Sequence, residues 1–76
     1  MENNNLRELT TDEITKRIRE AMIYIFDCKK AYFSNVYVVA VTMAREVFKV
    51  TDERERYIIG CNVAKSYIDA HGQPER

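Results

Sequence analysis

The chain has 76 residues, 46% of them hydrophobic and 32% charged, and its 12 basic side chains balance 12 acidic ones to a formal net charge of zero. That length holds one domain and not a second core, and two glycines with one proline leave little material for the turns of an all-β fold. The missing basic excess counts against a dedicated nucleic-acid-binding module, and no run reaches the roughly 20 apolar residues of a membrane span.

A chain this short buries only roughly 60% of the surface its unfolded form exposes, so association is a common route to added stability. Zero net charge does not oppose it. The opening MENNNLRE is polar, with no apolar signal-peptide core, so a cytoplasmic protein is expected. Residues 1–8 are predicted to be a frayed leader.

The first helix begins with a full start signal. Thr10 and Glu13 have capping-box spacing, Leu9 and Ile14 that of a hydrophobic staple, and Asp12 and Glu13 suit the positive end of the helix dipole. Ile14, Ile18, Ala21, Met22, Ile25 and Cys28 then form one stripe at helical spacing. With Lys29 and Lys30 suited to the negative end, the helix is placed near 11–30. Ile23, Tyr24 and Phe26 lie off the stripe, so the second half is apolar nearly all round and is expected to be covered on more than one side.

Ser34 is read as the N-cap of a second helix near 35–50, with Phe33 and Val38 as its staple. One apolar row is Val36, Val39, Ala40, Met43, Val47 and Val50; the other is Tyr37, Val41, Ala44 and Phe48. Together they cover roughly 200° of the wheel, twice what a simple surface helix buries. VYVVAV is β-branched, but the helical period runs on through MAREVF and nothing nearby could pair with it as a hairpin.

Thr51 is read as the cap of a third helix near 52–71, with Asp52 and Glu53 in its first turn. Its apolar face is Tyr57, Gly60, Cys61, Val63, Ala64, Tyr67 and Ile68, with Ile59 and Ala70 at the edge, while Ile58 points away among Arg54, Asn62 and Lys65. A glycine inside a helix costs about 1 kcal/mol, so Gly60, one turn before Ala64, implies a close helix approach. Gly72 and Pro74 end the helix, leaving 73–76 as a loose tail. The fold class is therefore all-α: a single three-helix domain with short connections.

Chemistry is sparse. His71, the only histidine, sits in a last turn where the dipole favours it. Cys28, Cys61 and His71 lack zinc spacings, and Cys61 and His71 are about 15 Å apart on one helix. Both cysteines fall in apolar patterns and are expected to be packing residues rather than a disulfide. The acidic residues look like caps and solvated ion pairs, and no glycine-rich phosphate loop is present. No enzyme activity, metal, cofactor or small-molecule substrate is expected.

Surplus apolar surface carries what functional content there is. After each helix has turned one stripe inward, Ile23, Phe26, Val38 and Ile58 remain, with part of the Tyr37, Val41 and Phe48 row. A contiguous set would mark an interface. The expectation is a non-enzymatic regulator or inhibitor that docks an apolar helical face on a protein partner or on a second copy. Phage-type inhibitors of host machinery share this character, an analogy of size and composition alone. The alternative is a dimeric nucleic-acid-binding transcriptional regulator that inserts the start of the third helix through Arg54 and Arg56. Against it stand three acids in the same turn and a hinge without glycine. A membrane-surface role is disfavoured, since no helix combines a dense basic face with a strong apolar one.

Overall fold

The computed structural model of the chain describes residues 9–74. It comprises α1 (Thr11–Ile25), α2 (Phe33–Glu46) and α3 (Glu53–His71), a small all-α, three-helix domain. The helices run up, down and up. Thr11 hydroxyl donates to the Glu55 carboxylate where α1 and α3 begin, and the backbone N–H of Ala31 donates to the carbonyl of Gly72 where both have ended. The expected leader, residues 1–8, lies outside the described residues.

α1 starts as its sequence requires. Thr10 accepts from the Glu13 N–H at 3.2 Å, while the Glu13 carboxylate accepts from the Thr10 N–H at 2.8 Å, which completes the capping box. Its end differs from the expected Lys30. Cys28 N–H returns to the Ile23 carbonyl and Asp27 N–H to the Tyr24 carbonyl. This pair of bonds is the Schellman motif, with Asp27 in the left-handed position at φ 58°. Cys28 follows at φ 59°, exposed and out of the core stripe, and Lys29 and Lys30 stand beyond the helix. No glycine marks this stop, so the apolar period ran past it.

α2 begins earlier than expected. Tyr32 is the N-cap without a side-chain bond, Phe33 is already helical, and Ser34 caps nothing. The helix ends at Glu46 rather than 50, where Lys49 takes φ 58° and the Val50 N–H reaches the Ala44 carbonyl at 2.9 Å. α3 is capped by Asp52 instead of Thr51, because the carboxylate reaches the Arg54 N–H at 3.0 Å. It stops at Gly72, φ 85°, as Gly72 and Pro74 imply. Gln73 is not loose: its side-chain oxygen accepts from the Phe33 N–H at 3.0 Å.

The core is built from Ile14, Ile18 and Met22 of α1, Val36, Ala40 and Ala44 of α2, and Ile59, Val63, Ala64 and Tyr67 of α3, closed by Ala31 and Val50. The buried face of α3 is thus turned toward Ile59, and Tyr57, expected inside, is 58% exposed. Val47 and Ile25 also stand exposed, since each lies where its helix is ending and no neighbour extends over it. Thr15 is buried with its hydroxyl bonded to the Thr11 carbonyl at 2.8 Å, which satisfies its one polar group. Ile23, Tyr24 and Ile25 are all exposed, so the expected cover over the end of α1 is not supplied by the described residues.

α2 and α3 share the most extensive interface, α1 and α3 a smaller one, and α1 and α2 the smallest. The reason is side-chain size. α2 buries a valine and two alanines and α3 offers Gly60 and Ala64, so the two backbones can approach closely. A Cβ placed on Gly60 would lie 2.6 Å from Val41 Cγ2 and 2.9 Å from the Tyr37 ring.

Candidate interaction surface

The close α2–α3 crossing determines what stands above it. With no side chain at Gly60, Tyr37 and Val41 lie directly on the α3 backbone, each half-buried. Tyr37 extends to Tyr57 in an edge-to-face contact, ring centroids 6.1 Å apart and planes at 70°. Val38 is one turn from Val41 on α2 and 58% exposed. Cys61, one turn after Tyr57, is half-buried at the same edge. The result is a seam of apolar and aromatic side chains on a rigid floor.

Three of the residues singled out from the sequence, Tyr37, Val38 and Val41, lie along this seam; Ile58, about 160° of helix turn from Gly60, faces out from the opposite side of α3. The other three lie elsewhere. Ile23, 38% exposed, lines a shallow groove of about 240 Å³ between α1 and α3, together with Arg19, Ser66 and His71. Phe26 is half-buried and packs its ring 5.6 Å from that of Tyr67, so it completes the core at the end of α1. Phe48 is half-buried against the core beyond the end of α2.

Tyr57 is the seam residue that sequence reasoning assigned to the core. A wheel centred on the α3 face from Tyr57 to Ile68 was turned away from Ile59 by the apolar content of its other edge. Its hydroxyl pKa is raised, first by a side-chain hydrogen bond with Cys61, then by charge interaction with that thiol, by desolvation and by Tyr37.

The two arginines of the nucleic-acid alternative differ. The Arg56 guanidinium donates to the carbonyls of Val50 at 2.9 Å and Thr51 at 3.0 Å, tying down the α2–α3 connection. Arg54 is exposed, and its side chain makes no bond to the described residues.

The aromatic end of α3 is structural. Tyr67, 2% exposed, donates to the Lys29 carbonyl and carries His71 on its ring at 4.3 Å. Burial raises its pKa, with Cys28 and Asp27 adding to the effect. Cys28 and Cys61 are free thiols, and no group of three or more potential metal ligands occurs among the described residues. No helix among them is long and apolar enough to cross a membrane. Compared with known protein families, curated proteins and solved structures, the chain matches none.

Proposed function

We propose that the protein is a small, non-enzymatic helical interaction protein, a regulator or inhibitor that acts by laying the α2–α3 seam on another folded protein. The observation that supports this reading is the apolar run Tyr37, Val38, Val41 and Tyr57, left open beside a tightly packed helix crossing. Amphipathic aromatic side chains on a floor that cannot yield suit the centre of a protein interface, because they bury much area with little loss of side-chain freedom. Arg54, Lys65 and Asp69 on the outer face of α3 would form the polar rim. The action is occlusion or scaffolding.

The test is affinity capture from the native cell with the wild type and with Val38→Glu and Tyr57→Glu, read by mass spectrometry and checked for helicity by circular dichroism. Both residues are exposed, so each variant should fold, and each should lose the same captured protein. A set of captured proteins that is unchanged in both folded variants would refute the seam as a docking face.

A further inference from the structure

The outer face of α3 carries two charges placed against its own dipole. Arg54 lies in the first turn, at the positive end, and Asp69 in the last turn, at the negative end. Both are exposed, and neither side chain forms an ion pair or hydrogen bond with the described residues. About 22 Å of helix separates them, with Ile58 and Lys65 exposed in between. In the single chain this arrangement is unfavourable at both ends.

We propose that the partner of this face is a second copy of the chain, packed α3 against α3, antiparallel, about a two-fold axis passing between Cys61 and Asn62. The proposal concerns the outer face of α3 and stands apart from the seam, which lies on the α2 side of that helix. In this arrangement Arg54 of one copy meets Asp69 of the other, twice by symmetry. Each charge also comes beside the end of the neighbouring helix whose dipole favours it. Ile58 comes opposite the aliphatic stem of Lys65, which covers it while keeping the ammonium in water. Parallel packing would instead set Arg54, Lys65 and Asp69 each against its own like. The charge pattern therefore selects the antiparallel pair, and the zero net charge of the chain adds no general repulsion.

Sedimentation equilibrium of the full chain at low salt tests this. The wild type should sediment as a pair of 9.0 kDa chains. Arg54→Asp and Asp69→Arg should each weaken the pair about tenfold, and the double reversal should restore it to within about threefold. Each single reversal suits the dipole of its own helix, so the melting temperature of the dilute protein should hold or rise while association falls. A local structural role would lower it. A wild type that stays monomeric at about 100 µM, or reversals that leave the dissociation constant unmoved or are not mutually restored, overturns the pairing. If that monomer still captures a larger protein through Val38 and Tyr57, the docking reading of the seam stands and the self-pairing alone falls.

Discussion

Gly60→Ala is the sharpest probe of the α2–α3 crossing, because two known effects oppose each other there. In an open helix interior the change is favourable by about 1 kcal/mol, through intrinsic propensity. At position 60 the new Cβ would fall 2.6 Å from Val41 Cγ2 and 2.9 Å from Tyr37 Cδ1 and Cε1. Carbon atoms rest at about 3.5–4.0 Å, so the helices must part or side chains must turn by close to 1 Å. Val41 is β-branched, with one strongly preferred rotamer in a helix, and its γ carbon cannot swing clear cheaply. Overpacking of a well-filled site costs about 1–3 kcal/mol, and three close atoms from two residues place this site in the upper half of that range. The net expectation is a loss of about 1–2 kcal/mol, or about 5–15 °C in melting temperature for a domain of this size. Urea and thermal unfolding followed at 222 nm measure it. Val41→Ala removes the nearest clashing atom, so Gly60→Ala with Val41→Ala should be more stable than the sum of the single changes by about 1 kcal/mol. A rise in stability for Gly60→Ala, or strict additivity in the cycle, would show that the crossing is not as close as described.

Two further outcomes follow from the end of α1. Asp27→Gly should raise stability by about 0.5 kcal/mol, because glycine takes the left-handed φ without a Cβ contact. The 3.9 Å approach of Asp27 to Lys29, with both side chains mostly exposed, is too weak to offset that gain. A fall in the urea midpoint would count against the Schellman assignment. For Tyr67 the sign follows from a pKa raised in the folded state above the ordinary 10.0. The folded chain holds the phenol proton more tightly than the unfolded one, so this contribution is complete below pH 10 and is lost as pH rises through the folded value. Stability should drop on the alkaline side, and Tyr67→Phe should flatten that drop while costing about 1–2 kcal/mol near neutrality, where the Lys29 carbonyl loses its donor. Equal alkaline slopes in the two proteins would place the titration elsewhere.

Local signals were legible where they involve neighbours in the chain. The capping box of Thr10 and Glu13, the stop at Gly72 and Pro74, and the stripe of Ile14, Ile18 and Met22 each depend on contacts within a turn or two, so they can be read from spacing. Gly60 also announced a close approach, because a helix keeps a glycine at a cost. Three things depended on tertiary structure. Asp27 carries no glycine-like mark, and α1 stops there as the connection turns to meet the end of α3, where Tyr67 holds the Lys29 carbonyl and Gly72 holds Ala31. Which edge of α3 faces inward was settled by where α1 lies, which buries Ile59 and leaves Tyr57 out; a wheel counts apolar residues but does not locate neighbours. The surplus apolar residues divided for the same reason. Tyr37, Val38 and Val41 share one seam because two small-faced helices cross closely beside them, while Ile58 faces out from α3 and Ile23 and Phe26 lie on the α1 side. Sequence alone set the number of helices, the N-cap of α1, the stop of α3 and the apolar excess, which are properties of short spans. The rotation of each helix about its axis is a property of the packed whole, and it decided which residues were left open.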